Sequence, residues 1–379
     1  MTTIRPPIHM PTYAFATTLI LAFAATCVLT WALVPVATRI GLIDRPDRPG
    51  GRKTHGGEVP TIGGFAIAAA VIITALVMGI AEQLHPAFWA GFIVIGLIGT
   101  LDDLRDLGHH SKFLAQIAAA ALMVFWGGWQ LHSLGNLFGA WPLTLGAFAI
   151  PLTFIAVIGV INAVNFSDGA DGLAGGLVFN ALLWYCVMEG LRAPHASGDV
   201  PSGELQMALA FLGAVAGFLA FNLRVPGRNR ALVFLGDAGS LGLGFVLAWF
   251  TVSGAERADP LFAPVTAIWL LAVPLVDTLT CAARRMLNGH SPFKADRKHL
   301  HHILADLGLP VGRAVALIHA VAFALAGIGV AAWAQSVPEF VMFYIAMGIF
   351  AIYVMFSTYA LRVIEARQHR QATLEARGV

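Results

Sequence analysis

The sequence predicts an all-α, polytopic integral membrane protein of about eleven spanning helices, N-terminus outside and C-terminus in the cytoplasm. Three observations predict it. The chain is 58% hydrophobic and only 12% charged, where a soluble domain carries about 25% charged residues. Apolar runs close to the roughly 20 residues needed to cross a bilayer recur along its whole length. Its basic residues fall almost entirely in alternate loops.

The runs lie near 12–34, 62–81, 87–101, 113–130, 145–163, 173–190, 205–222, 239–254, 263–283, 313–334 and 338–361. The first exceeds the roughly 7–15 apolar residues of a signal-peptide core, and no small-residue cleavage site follows it, so it reads as a retained helix. Residues 129–144 read as a loop or an interfacial segment. Of 23 Lys and Arg, only Arg5, Arg192 and Arg257 fall on the outer side, leaving 23 − 3 = 20 on the inner one. That partition sets the orientation. The inner side comprises 38–61, 102–112, 162–172, 223–238 and 284–312, with a tail at 362–379. Together with the spans they form one transmembrane unit.

Composition excludes some functions. A net charge of +2 leaves no nucleic-acid footprint. Cys27, Cys186 and Cys281 are far apart in apolar runs and match no disulfide or zinc spacing. No internal repeat supports a repeat-built transporter.

The chemistry-bearing residues crowd the inner segments. Asp102 and Asp103 end the third run in GTLDDLRDLGHHSK. Adjacent carboxylates at a membrane boundary repel each other, cost desolvation and oppose the helix dipole, which favours a functional over a merely solvated pair. Lys112 reads as a phosphate contact or an interfacial anchor. Asn162, Asn165, Asp168 and Asp171 recur every third residue in NAVNFSDGADGLAGG. On a helix each such step drifts by roughly 60°, so one ion cannot take all four, and a division between metal and substrate is expected. Helix capping is the bland alternative. Gly169 and Gly172 allow the helix to end and a ligand to approach.

Asp237, in FLGDAGSLGLGF, reads equally as a helix N-cap or as the single carboxylate of a magnesium site completed by substrate phosphates. Phe234 beside it is counted with the substrate-binding residues. The fifth segment, SPFKADRKHLHH, clusters Arg297 with His299, His301 and His302. Zinc is the minor reading, since no cysteine lies near; a guanidinium with histidines suits anionic oxygens better. Lys53 and His55 sit in the Gly/Pro-rich first inner loop. A transporter would place polar residues near the midplane of several helices. Here only Asp277 lies about 10 Å in from the basic end of its helix, and it is expected to pair with a neighbouring helix.

Five segments, GRKTHGGEVPTIGG, LDDL, NAVNFSDGADGLAGG, FLGDAGSL and SPFKADRKHLHH, occur in this order. Together they resemble the polyprenyl-phosphate N-acetylhexosamine-1-phosphate transferase superfamily, and the last resembles its WecA/TagO branch. The resemblance implies a magnesium-dependent reaction, with manganese as a substitute, at the cytoplasmic face of the bacterial inner membrane. UDP-GlcNAc and undecaprenyl phosphate would give undecaprenyl-diphospho-GlcNAc and UMP, opening a surface-polysaccharide pathway. UDP-GalNAc or a 6-deoxy amino sugar is the alternative donor. It implies Asp102 and Asp103 as the catalytic acidic pair and Asn165 and Asp237 at the metal. It puts Asp168 at the uracil, Lys112 near the phosphates and Asn222 in the nucleotide site. Lys53, His55, Asn162, Asp171, Phe234, Arg297, His299, His301 and His302 complete the expected substrate-binding set. A homodimer is compatible with it. Electrostatic clamping is the main task in such a transfer. The lipid phosphate, with a second pKa near 6, is already nucleophilic, which favours direct in-line attack over an aspartyl intermediate.

Overall fold

All eleven apolar runs are helical in the computed structural model, which describes residues 13–44, 57–105, 107–192, 203–291 and 297–376. The helices are α1 (Tyr13–Ile40), α2 (Gly63–Val77), α3 (Pro86–Arg105), α4 (His109–Ala121), α5 (Ala149–Ser167), α6 (Leu173–Arg192) and α7 (Gly203–Asn222). They continue as α8 (Gly236–Glu256), α9 (Pro264–Leu270), α10 (Ala272–Leu287), α11 (Leu300–Asp306), α12 (Val311–Ala334) and α13 (Glu339–Ala376). Eight described helices are long and apolar enough to cross a membrane, so the protein is polytopic. α2 is shorter, and α4 runs on through a π-helical stretch, Leu122–Trp126.

One expectation needs correction. The run at 263–283 is not one straight span but the pair α9 and α10, bent by 86°. Pro274 explains the break: it has no N–H to offer Leu270, and its ring crowds that carbonyl. The stretch after 361 continues α13 as far as Ala376. Ala360 and Ile364 of α13 pack with Ile303 of α11, with Leu307 and Leu361 at the margin. Residues 129–144 form an irregular hairpin with one bridge, Ser133 to Thr144.

The core is organised around α8. Every residue from Gly239 to Ala255 is buried, as expected for a helix that is apolar on all sides. α2, α3, α5 and α6 pack on it, and Phe88, Phe211, Phe245, Trp249 and Phe250 form an aromatic cluster between α3, α7 and α8. Glycine sets how close two neighbours come. A β-carbon on Gly99 of α3 would lie 2.5 Å from the Ala238 backbone, and one on Gly64 of α2 would lie 2.3 Å from Gly239 N. The N-terminus of α8 is therefore gripped by two helix backbones. A two-residue ladder, β1 (Ile43–Asp44) with β2 (Val59–Pro60), lies beside it. Phe234 N donates to Pro60 O at 2.8 Å, and Gly63 N to Phe234 O at 2.9 Å.

Candidate active site

The α8 N-terminus is where the predicted residues converge. Gly99 lies one turn before Asp103, so the close approach of α3 to α8 delivers that carboxylate to the first turn of α8. Asp103 Oδ1 accepts from Asp237 N at 2.8 Å and Oδ2 from Ala238 N at 3.2 Å. α8 has no cap from its own N-cap residue, Leu235. Asp103 thus satisfies backbone donors that a helix start otherwise leaves unpaired.

Asp237 itself does not cap α8. Its Oδ1 accepts from Asn165 Nδ2 at 2.8 Å, and Oδ2 from Lys112 Nζ at 3.0 Å. Lys112 Nζ also donates to Asp102 Oδ2 at 2.9 Å. Asp102 Oδ1 is buried without a partner among the described residues. Ser240, one turn into α8, donates no cap either; its hydroxyl accepts from Asn165 Nδ2 at 2.9 Å. Asp102, Lys112, Asn165 and Asp237 are therefore one connected cluster. It offers hard oxygen donors, one of them buried and unsatisfied, which fits magnesium or manganese.

The four-residue series divides where α5 ends. Asn162 faces α4, exchanging hydrogen bonds with Gln116 at 2.7 and 3.3 Å. Asn165 joins the cluster. Asp168 is the residue at which the helix stops, and its carboxylate makes no hydrogen bond among the described residues. Burial, then the charges of Asp237 and Asp103, push it well above the usual carboxylate range. Asp171 turns away, accepting from Arg224 Nε at 2.8 Å and Ala231 N at 3.0 Å. Gly172 makes the turn possible at φ +79°. Asn222 fastens that turn: Oδ1 accepts from Gly172 N and Nδ2 donates to Val233 O, both at 2.7 Å. Its amide is spent on backbone, as is the backbone of Phe234 on the first loop.

The histidines reach the same place from α11. His301 is buried and its Nε2 has no partner among the described residues. A β-carbon on Gly169 would stand 2.4 Å from that nitrogen, so the ring fills the space beside Asp168 that a side chain there would take. Burial, then His302 and His299, push His301 down to about 3, so it is neutral at physiological pH. His302 lies against it, ring centroids 4.1 Å apart, and Arg297 is exposed.

His299 is directed elsewhere. Its Nδ1 lies 2.8 Å from Asp277 Oδ2 and its Nε2 3.2 Å from Arg285 Nη2. Asp277 Oδ1 accepts from Leu300 N at 2.9 Å and from Tyr353 OH at 2.5 Å. Asp277 thus pairs with neighbouring elements, as expected, and ties α10, α11 and α13 together. Asp277, Cys281 and His299 are close enough to share a metal ion. Each is already satisfied, Cys281 by Lys298 O at 3.3 Å, and Arg285 stands beside them, which disfavours a cation. Lys53 and His55 lie outside the described residues.

Sequence reasoning missed Gln116, Arg224 and Ser240. Only Ser240 carried a signal, its place in GDAGS; the other two are partners that only the fold supplies.

A membrane bundle with a hard-oxygen cleft at one end is the framework of a membrane enzyme, and comparison gives its family. A family model described as glycosyl transferase family 4 matches residues 85–255. The chain is 34% identical over 351 residues to the undecaprenyl-phosphate alpha-N-acetylglucosaminyl 1-phosphate transferase of Escherichia coli (strain K12), covering 89% of each. It is 35% identical over 347 residues to the protein of the same name from Yersinia pestis, covering 89% of this chain and 90% of that one. The Haemophilus influenzae protein of that name is 32% identical over 332 residues, with 87% and 90% covered. The chain belongs to glycosyl transferase family 4, and it is a membrane-bound sugar-phosphate transferase.

Proposed function

We propose that the protein transfers GlcNAc-1-phosphate from UDP-GlcNAc to undecaprenyl phosphate. An oxygen of the lipid phosphate attacks the β-phosphorus of the nucleotide sugar, the bond to the UMP oxygen breaks, and undecaprenyl-diphospho-GlcNAc and UMP result. The observation that carries this reading is the Asp102–Lys112–Asp237–Asn165 cluster at one end of a membrane bundle, in a chain so similar to relatives of that name.

The cluster serves the reaction's main problem, the meeting of two polyanions. Asp237 and Asn165 would hold magnesium, with Asp102 beside them. Such an ion would supply positive charge to offset that of the phosphates. Lys112 pairs with phosphate oxygens. Asp102 orients the lipid phosphate or accepts its remaining proton. Asp103 holds α8, and with it Asp237, in position. Asp168, an acceptor without a donor, suits an N–H on the nucleobase, and the neutral His301 beside it excludes water.

The basic-residue partition supports eleven crossings: the eight long helices, the bent pair as one, α2, and α4 with its continuation. The N-terminus is then outside, and the cleft and C-terminus are cytoplasmic.

The test is incubation of purified enzyme with a panel of UDP-amino sugars, with and without undecaprenyl phosphate, measuring UMP and lipid product together. UDP-GlcNAc should be the preferred donor, and UMP should appear only with the acceptor. Formation of no lipid-linked product from any donor overturns the function. Stoichiometric UMP release without the lipid overturns direct attack.

A further inference from the structure

Lys112 occupies an odd position for a cation. It lies in the first turn of α4, where the helix dipole disfavours positive charge. What keeps it there is the pair of acids opposite, Asp102 at 2.9 Å and Asp237 at 3.0 Å. Four carboxylates, Asp102, Asp103, Asp168 and Asp237, share this cleft. Among the described residues Lys112 is the one cationic side chain hydrogen-bonded to any of them. Its side chain remains 19% exposed, so the ammonium has a way out. A lysine is suited to moving, being a compact charge with rotatable donors on a flexible stem.

A divalent cation held by Asp237 and reaching toward Asp102 would stand beside the ammonium that bridges their Oδ2 atoms. An ammonium and a hard divalent ion cannot share them, because like charges at that range repel strongly in a partly desolvated site. We propose that Lys112 is the counter-cation of the Asp102–Asp237 pair. It excludes, and is excluded by, a divalent ion at Asp102 and Asp237, and the ion's arrival turns the ammonium toward incoming phosphate oxygens. This rests on reading the cleft as the phosphate-transfer site. A consequence follows from reciprocity of coupling. A nucleotide diphosphate that accepts the displaced ammonium strengthens ion binding, and the ion strengthens nucleotide binding by the same factor. The two ligands would fill the cleft together rather than singly.

The test uses Mn2+ as a spin-active probe on the purified full-length protein in detergent, with and without UDP. Lys112→Met, which keeps the stem and removes the charge, should bind Mn2+ at least about tenfold tighter than wild type without UDP. UDP should tighten Mn2+ binding in wild type and do so less in Lys112→Met. Equal or weaker Mn2+ binding by Lys112→Met, with Asp237→Asn still losing the ion, overturns the exclusion while leaving the metal site in place. Wild-type Mn2+ affinity in both Asp237→Asn and Asp102→Asn overturns the exclusion together with the metal assignment beneath it. A second measurement needs no variant. Amine-reactive labelling of Lys112 in wild type, read by mass spectrometry, should rise several-fold at saturating Mg2+. Unchanged or reduced labelling with the ion bound overturns the proposal.

Discussion

Asp102 and Asp103 are neighbours in sequence, yet the structure assigns them different work, and substitution should separate the two. Asp103 receives the N–H groups of Asp237 and Ala238 at 2.8 and 3.2 Å. Leaving a buried backbone N–H unpaired costs about 1–3 kcal/mol, and Asp103→Ala strands two of them, so it should cost about 3–5 kcal/mol. Asp103→Asn keeps one acceptor but turns an NH2 toward the second donor, and should cost about 2 kcal/mol. Asp102→Asn is different. It gives up one partner of Lys112, which keeps Asp237, and it removes one of two closely placed negative charges. The lost bond and the relieved repulsion oppose each other, so the net change should be smaller than for Asp103→Ala. Turnover should collapse in all three.

Thermal unfolding of the purified, metal-free protein in detergent, followed by tryptophan fluorescence, gives the comparison. The expected order of unfolding temperature is wild type near Asp102→Asn, then Asp103→Asn, then Asp103→Ala. Asp103→Ala as stable as wild type, or Asp102→Asn as the least stable, would refute the division of labour.

Three further outcomes are expected. His301 titrates near 3 when folded against an ordinary 6.5, so the unfolded chain takes up a proton that the folded one refuses. Stability should fall by up to about 1.4 kcal/mol per pH unit as pH drops below 6.5, and His301→Gln should flatten unfolding profiles recorded from pH 5 to 7.5; parallel profiles would contradict the ring's burial. Asp168 is shifted up, so its ionisation costs stability above its ordinary range. Asp168→Asn should therefore abolish activity yet raise the unfolding temperature of the ligand-free protein at pH 7.5, the gain shrinking as pH falls toward 4. A lowered unfolding temperature would mean that the carboxylate has a partner. For topology, a cysteine at Gly198, between α6 and α7 and outside the described residues, should be labelled by an impermeant thiol reagent on intact cells. One at Gly289 should not, and its labelling from outside would reverse the orientation.

Apolar periodicity and loop charge carried the helices because both are local properties of the chain. They could not reveal the 86° break, since Pro274 sits in a run whose hydropathy is unbroken and a proline kink can be mild or severe. Nor could they separate a helix that crosses the membrane from its extension. α13 continues past its apolar part, and there Ile364 packs with Ile303 on a helix more than fifty residues earlier. Among the site residues, legibility followed the same line. The carboxylates stood out because charge near an apolar run is costly. Their partners did not: Gln116 looks like any polar residue on α4 until Asn162 of α5 faces it, and Arg224 reads as topology until Asp171 turns to meet it.

The pair at the end of α3 shows why spacing alone misassigns roles. Consecutive helical residues point about 100° apart, so Asp102 and Asp103 cannot face one ligand in the same way. One is directed across the cleft to Lys112, the other along it to the first turn of α8. Which direction leads to chemistry depends on what lies there, and that was fixed by Gly99, Gly64 and Gly239, whose missing side chains let three helices meet. Larger residues at these positions would leave the motif LDDL intact in sequence while moving Asp103 away from the Asp237 backbone. The glycines are as much a condition of the site as its acids, because they fix which acid becomes scaffold and which remains free to meet phosphate.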